Sequence, residues 1–159
     1  MTVRLRAITP DDVPSLTAGE EDAERLRRRL ERNPTLEDGG FWALGVEADG
    51  QLVGEVQARA PQHCFLPGVC EIGIELKPEA RGRGIGREAV ALFAEELFAQ
   101  GLARVQASTA VSNAAMRRVL EELGWELEGT LRAYGPAEDG GREDYAMYAV
   151  TRPAPSGTS

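Results

Sequence analysis

Seven residues near the middle of the chain constrain its fold more than any other stretch. They read Arg81-Gly82-Arg83-Gly84-Ile85-Gly86-Arg87. Residues 69–77 before them alternate in polarity, which predicts a strand, and residues 88–100 after them carry apolar side chains at helical spacing. A glycine loop between a strand and a helix brings backbone N–H groups together with the positive end of the helix dipole. The run therefore predicts an anion site, for a phosphate or a pyrophosphate.

Composition limits the kind of protein around this loop. The chain has 159 residues, 42% hydrophobic and 28% charged, which predicts one domain over residues 1–152 followed by a flexible Pro-, Ser- and Gly-rich tail, 153–159. The net charge of −8 argues against a nucleic-acid partner; it is compatible with a cationic partner, or with solubility alone. Because no apolar run could span a membrane and residues 1–10 lack a signal-peptide core, we expect a cytoplasmic protein with no membrane partner.

Histidine and cysteine are too scarce to predict a metal site. The chain contains His63, Cys64 and Cys70, which do not form the ligand spacing of a zinc site. His63 and Cys64 are adjacent, as in a catalytic pair, but neighbours on an extended segment point to opposite sides. Ordinary packing or loop positions are the favoured interpretation of both, and a role for either stays open.

Periodicity and turn residues predict the element order β-α-α-β-β-β-α-β-α-β-β. The predicted strands cover residues 3–8, 41–47, 51–59, 69–77, 103–110, 126–134 and 143–150, and the predicted helices 10–17, 20–33, 88–100 and 114–123. Asp49-Gly50 predicts a tight hairpin turn. A helix joins strands four and five, so these should be parallel. The fold class is therefore α/β, a mixed sheet of about seven strands.

Two sequence blocks in this framework resemble the GNAT acyltransferase superfamily, most closely its branch of Rim-type protein N-terminal acetyltransferases. The blocks are EIGIELKPEARGRGIGREA at 71–89 and SNAAMRRVLEELGWELEG at 112–129. The resemblance covers roughly residues 3–151. It implies a GNAT-like sheet splayed between strands four and five, with acetyl-coenzyme A as cosubstrate. It also implies a primary amine as acceptor, on a protein N-terminus or a small molecule, direct attack in a ternary complex, and homodimers in many members.

The resemblance places the coenzyme on the glycine loop and on strand four. Loop N–H groups would hold the pyrophosphate, and the main chain of strand four would bond the pantetheine arm as an added strand would. The implied coenzyme-binding residues are Ile74, Glu75, Leu76, Arg81, Gly82, Arg83, Gly84, Ile85, Gly86, Arg87 and Asn113. Asn113 fits a plain helix cap equally well, and both interpretations stay open.

Amine acetylation needs a group that removes a proton from the ammonium. The resemblance makes Glu71 the predicted base, and Glu75 is the reserve because strand alternation puts it on the same face. Both glutamates also fit ordinary polar positions on a half-exposed face, and a chain of water molecules is an alternative base.

The proton donor to the leaving thiolate is not assigned by the resemblance. Leu120 and Met116 stand where relatives carry a tyrosine or a serine, and neither side chain can donate a proton. Tyr134, Tyr145 and Ser108 are the replacement candidates, and Tyr134 is the one predicted. The missing donor keeps a second function open, a non-catalytic module that binds or senses acyl-coenzyme A. A nucleotide-phosphate binder is disfavoured because the loop lacks the spacing and the lysine of that motif.

Overall fold

The computed structural model of the chain describes residues 1–36, 40–61 and 64–152. The strands are Val3–Arg6 (β1), Phe41–Ala48 (β2), Gln51–Arg59 (β3), Val69–Leu76 (β4), Arg104–Ala110 (β5), Glu126–Pro136 (β6) and Arg142–Thr151 (β7). The α-helices are Val13–Leu16 (α1), Glu20–Arg32 (α2), Ile85–Ala99 (α3) and Ala114–Glu122 (α4), with short 3₁₀ turns at Pro10–Asp12 and Pro78–Ala80. The predicted element order and fold class are confirmed.

The strands form one mixed sheet in the order β1-β2-β3-β4-β5-β7-β6. β4 and β5 are parallel, and their registered pairs match residues 69–71 with residues 104–106. The pairs β1–β2, β2–β3, β5–β7 and β6–β7 are antiparallel. The predicted parallel crossover is therefore confirmed.

The chain divides into two compact units. The first contains residues 1–60 and 72–93, and the second contains residues 61–71 and 94–159. The boundary falls inside β4, between Glu71 and Ile72. The predicted tail, 153–159, lies outside the described residues, so the domain limits stay a prediction. No helix among the described residues is long and apolar enough to cross a membrane.

In the first unit, α2 packs through the predicted apolar stripe. Ala23 and Leu26 are buried and form a cluster with Val13 of α1. Further along, the Trp42 ring of β2 lies 5.4 Å from the Phe93 ring of α3. The first cluster joins α1 to α2, and the ring contact holds α3, the helix that follows the glycine loop, against β2.

In the second unit, the core lies on the buried face of β5 and β7. Val105, Leu120 and Tyr148 are fully buried. The Tyr148 hydroxyl donates to Glu121 Oε1 at 2.7 Å and accepts a bond from Arg117 Nε at 3.3 Å. Sequence reasoning did not single out Tyr148, although its position in an alternating strand marks it as inward-facing. The tyrosine ties α4 to β7.

One predicted boundary was wrong in a way that matters for the loop. α3 begins at Ile85 and not at residue 88. The glycines suggested a longer loop, but Ile85 is fully buried, and the bond from Glu88 N to Gly84 O at 3.3 Å already belongs to the helix. Burial of one isoleucine outweighs the poor helix propensity of Gly86 at the helix start. The loop is therefore shorter than expected, and its last residues form the first helical turn.

Candidate active site

The glycine loop has open space beside it. Gly82 and Gly84 have φ angles of +71° and +81°, which residues with a Cβ rarely adopt. A Cβ built on either would meet nothing within 4 Å. Glycine is therefore required here by backbone conformation, and the space beside both residues is open to a ligand.

The first turn of α3 supplies amide donors at this point. Because the first helical bond runs from Glu88 N to Gly84 O, the N–H groups of Ile85 and Gly86 precede the helical ladder. A Cβ built on Gly86 would lie 3.6 Å from Leu76 Cδ1, an ordinary contact distance. The helix dipole adds partial positive charge here. These donors suit a phosphate group, and the open cradle fits the coenzyme that the sequence implies.

Three arginines surround the loop. Arg81, Arg83 and Arg87 are all exposed. Arg81 Nε donates to the carbonyl oxygen of Leu76 at 3.1 Å, which fastens the start of the loop to the end of β4. The other two guanidinium groups contribute positive charge beside the glycines within a protein whose net charge is −8. The local charge thus has the sign that attracts a phosphate.

β3 holds the end of β4 very closely. A Cβ built on Gly54 would lie 2.2 Å from the Glu75 carbonyl oxygen, closer than any real side chain could be. Lys77 N donates to Val53 O at 2.8 Å, so strand alternation turns the main-chain groups of Leu76 to the edge of β4 away from β3. The Arg81 bond to the Leu76 carbonyl lies at that edge. The main-chain groups of Ile74 point to the same edge of β4 as those of Leu76, whereas those of the exposed Glu75 do not.

In the second unit, Glu71 belongs to a hydrogen-bonded network on β5. Glu71 is registered opposite Gln106. Gln106 Nε2 donates to Glu71 Oε1 at 3.2 Å, and Ser108 Oγ lies 3.5 Å from the same oxygen. Gln106 Oε1 accepts from Arg104 Nε at 2.9 Å. Sequence reasoning considered Ser108 only as an acid and passed over Arg104 and Gln106, although all three alternate along one face of β5.

The network ends in an ion pair. Arg104 donates two bonds to the Glu128 carboxylate, at 2.9 and 2.6 Å. These bonds hold the pKa of Glu128 below its ordinary value and raise the pKa of Arg104. Both side chains are therefore charged at neutral pH, and the geometry is the two-pronged one in which arginine–carboxylate pairs are strongest.

The cysteines show no sign of nucleophilic activation. Cys70 is buried, and burial, with a smaller contribution from the Glu71 charge, raises the pKa of its thiol to about 12. Cys64 Sγ lies 3.4 Å from the carbonyl oxygen of Pro61. His63 lies outside the described residues. Within the described part of the chain, no cluster of three or more His, Cys, Asp and Glu could hold a metal ion.

Asn113 caps α4, as one of the two open interpretations predicts. Its Oδ1 accepts a bond from Met116 N at 3.2 Å. That bond does not use the Nδ2 group, and the residue is exposed. The cap is confirmed, and the coenzyme role stays a prediction. Leu120 is fully buried and packs in the core of the second unit.

The predicted acid, Tyr134, lies on the surface of β6. Its side chain is 52% exposed, and its ring lies 5.5 Å from the Tyr145 ring of β7. Ser108 is half-buried beside Glu71. The structure thus gives Tyr134 an aromatic neighbour and gives Ser108 a carboxylate neighbour, and the role of each stays a prediction.

Comparison with known proteins agrees with these features. The model of the Acetyltransferase (GNAT) domain family matches residues 2–126. The uncharacterized N-acetyltransferase YoaA of Bacillus subtilis (strain 168) is 27% identical, covering 94% of this chain and 93% of YoaA.

Two solved structures show the same fold. Mycobacterium smegmatis RimJ in complex with CoA-disulfide superposes with a TM-score of 0.74 at 22% identity, covering 94% of this chain and 81% of RimJ. The dodecameric spermidine N-acetyltransferase of Vibrio cholerae gives a TM-score of 0.76 at 20% identity, covering 94% of this chain and 93% of that chain. The matched domain, the fold and the glycine loop lead to one conclusion: the chain belongs to the GNAT acetyltransferase family, and its reaction is acetyl transfer from acetyl-coenzyme A.

Proposed function

We propose that the chain transfers the acetyl group of acetyl-coenzyme A to a primary amine, by direct attack within a ternary complex. The observation that supports this most directly is the open glycine cradle at the start of α3. Bound there, the coenzyme supplies a thioester, which an amine attacks without a covalent enzyme intermediate. The raised pKa of the Cys70 thiol is consistent with direct attack, because that thiol stays protonated at neutral pH.

The first unit would hold the coenzyme. The N–H groups of Ile85 and Gly86 would bind the pyrophosphate, and the charges of Arg83 and Arg87 would attract it. The main chain of Ile74 and Leu76 would bond the pantetheine arm along the edge of β4, as an added strand would. An N–H group of the same segment would stabilise the oxyanion that forms when the amine attacks. Glu75 is kept as a main-chain contact and as the reserve base.

Glu71 would act as the base. Its carboxylate is half-buried and already hydrogen-bonded by Gln106, so its orientation is restricted before the acceptor arrives. Glu71 would take a proton from the acceptor ammonium, directly or through one water molecule, and so expose the nitrogen lone pair.

The departing thiolate has a less demanding requirement. A thiol has an ordinary pKa of about 8.5, so its anion is stable enough to leave before it meets a proton. This accounts for catalysis despite Leu120 and Met116. Tyr134 is retained as the proposed donor, and Ser108 is the alternative because its hydroxyl lies beside Glu71.

We propose as acceptor the amine of a protein N-terminus or of a small molecule. The resemblance of the two sequence blocks together to the Rim-type branch favours the former, and the similarity to a spermidine N-acetyltransferase favours the latter. The acidic chain, with a net charge of −8, would attract cationic amines of either kind. A thiol-release assay with an alanyl peptide, spermidine, free lysine and an aminoglycoside distinguishes them. Coenzyme binding without turnover on a broad amine panel would instead support the sensor module.

The loop assignment has its own test in Gly84→Glu, compared with Gly50→Glu. Gly50, in the β2–β3 turn, is a matched control because its φ of +82° and its open surroundings equal those of Gly84. Both variants introduce the same strain and charge, but only the first sets a carboxylate against the pyrophosphate. We expect acetyl-coenzyme A affinity, measured by titration calorimetry, to fall about 100-fold or more for Gly84→Glu and to stay unchanged for Gly50→Glu. Equal affinities for the two variants would remove the loop from the coenzyme site.

A further inference from the structure

A directed chain of side-chain hydrogen bonds leads across β5 to Glu71. It runs from Glu128 through Arg104 and Gln106 to the Glu71 carboxylate. Each link is a bond of 3.2 Å or less between side chains that are not fully exposed. Nothing in the acetyl-transfer reaction itself requires these residues. The chain of bonds therefore calls for a reason of its own.

The direction of this series of hydrogen bonds is set by the side-chain amide of Gln106. A glutamine amide has one accepting end and one donating end. Arg104 has donors only, so it selects the accepting end, Gln106 Oε1, at 2.9 Å. The donating end, Nε2, must then face Glu71, whose ionised carboxylate has acceptors only. If the amide turned over, it would set like groups against each other at both contacts.

Arg104 is itself fixed. Its guanidinium makes two parallel bonds to Glu128, and its side chain is 26% exposed compared with 37% for Glu128. A two-pronged pair restricts both the position and the plane of the guanidinium. The third donor, Nε, is thereby directed at Gln106 Oε1.

The network lies at the end of the registered pairing between β4 and β5. Glu71 and Gln106 form the last registered pair between β4 and β5. The contacts with Gln106 and Ser108 restrict the Glu71 carboxylate at this position. A catalytic group that must meet its substrate within a fraction of an ångström needs such partners.

We propose that Gln106, oriented by Arg104 and Glu128, is a positioning residue that holds the Glu71 carboxylate in the geometry for proton abstraction. This inference rests on the proposed function, in which Glu71 is the base. Gln106 does not touch the reacting atoms; it acts by restricting Glu71. Its loss lowers kcat by about tenfold, since misplacing a catalytic group by a fraction of an ångström costs that much or more, and leaves acetyl-coenzyme A affinity unchanged.

The test reverses the ion pair. The double variant Arg104→Glu with Glu128→Arg keeps opposite charges together, but it places an acceptor on both sides of the Gln106 amide, so Nε2 is no longer directed at Glu71 alone. We expect kcat for thiol release, with an alanyl peptide or spermidine as acceptor, to fall about tenfold, and amine KM and acetyl-coenzyme A affinity to stay within about twofold. A kcat equal to that of the unaltered protein would refute the proposal, because it would show that only the ion pair matters.

A second pair of variants separates positioning from packing. Gln106→Leu removes both ends of the amide at similar volume, and its kcat should fall like that of the reversed pair. In a Glu71→Gln background, the same leucine should cause no further loss, because the group that Gln106 positions is already gone. A loss of equal size in both backgrounds would assign Gln106 a packing role and overturn the proposal.

The same set distinguishes the two levels of inference. If Glu71→Gln lowers kcat but the Gln106 and reversed-pair variants do not, the positioning role fails and the base survives. If Glu71→Gln retains full kcat, the base assignment fails, and the positioning role fails with it. A readout without turnover is the side-chain amide ¹⁵N–¹H signal of Gln106, assigned by its absence in Gln106→Leu. It should shift on Glu71→Gln, and an unmoved signal contradicts the bond on which the proposal rests.

Discussion

Gly54→Ala tests whether the close approach of β3 to β4 shapes the coenzyme site. The added methyl group would start 2.2 Å from the Glu75 carbonyl oxygen, 2.8 Å from Leu76 Cδ2 and 3.0 Å from Leu76 Cα. A carbon–oxygen contact normally needs about 3.3 Å. The nearest atom belongs to the backbone, so it cannot rotate away, and the two strands must separate by about 1 Å.

Two magnitudes follow for Gly54→Ala. Overpacking of this kind costs about 1–3 kcal/mol, which for a chain of this length lowers the Tm by about 2–12 °C. The displaced segment carries the main-chain groups of Ile74 and Leu76, so acetyl-coenzyme A affinity should fall about tenfold or more, as an ångström of misplacement implies. Thermal unfolding measures the first effect and titration calorimetry with acetyl-coenzyme A measures the second.

Gly135→Ala is a control elsewhere in the chain, where the nearest atoms belong to a side chain rather than to the backbone. Its Cβ would lie 2.3 Å from the Tyr145 ring, so it also overpacks, but on β6 in the second unit. It should lower the Tm while leaving coenzyme affinity intact. If Gly54→Ala lowers the Tm but binds acetyl-coenzyme A as the unaltered protein does, β4 does not hold the pantetheine arm. An unchanged Tm would show that the approach of the two strands is not tight.

Two further predictions concern the missing acid and the N-terminal ion network. Met116→Ser should cost about 1–2 kcal/mol of stability, because the side chain is half-buried. Its kcat in the thiol-release assay should equal or exceed that of the unaltered protein. A large fall in kcat, measured at a temperature well below the Tm of the variant, would mean that Met116 supports the site by packing. Bonds from Arg6 hold the pKa of Asp12 below its ordinary value, and bonds from Arg4 and Arg6 do the same for the pKa of Glu47. These contributions are present above about pH 4 and are lost as pH falls through the depressed folded-state pKa values, so Arg6→Met should move the acid-unfolding midpoint followed by circular dichroism to higher pH, and an unmoved midpoint would contradict it.

Local signals predicted most of the fold because each of them lies within a few consecutive residues. The Asp49-Gly50 turn has both φ angles positive, as its hairpin requires. The alternation of residues 51–59 likewise predicted β3, which is Gln51–Arg59. Each of these features depends on neighbours in the chain, so the sequence alone was sufficient.

Features that depend on distant residues were not predictable in the same way. The start of α3 was misplaced because burial of Ile85 is a tertiary fact. The position of β7 between β5 and β6 was not predicted either, since adjacent strands along the chain more often pair directly. The bond from Gln106 to Glu71 depends on the register of two strands separated by α3. An amide at this position carries no sequence signal of its own, because glutamine is an ordinary residue on a half-exposed strand face.

The same distinction between local and distant interactions applies to the residues of the site. The loop at Gly82 and Gly84 was predictable because glycine permits the positive φ angles found at both positions. Which carboxylate or hydroxyl performs chemistry depends on contacts that composition does not reveal, so the roles of Glu71, Glu75 and Tyr134 stay predictions.

The two anchors of the glycine loop have a thermodynamic consequence. Arg81 fastens its first end to the Leu76 carbonyl, and the buried Ile85 fastens its last end to the core. The backbone torsions of residues 82–84, between these two anchors, are therefore restricted in the folded protein. Ordering a free backbone costs about 1–2 kcal/mol per residue, so a cradle already ordered by folding avoids several kcal/mol of entropic cost at the moment of binding. We expect the loop to bind a phosphate ligand with little change in conformational entropy. The cost of ordering its glycines is met during folding, before the ligand binds.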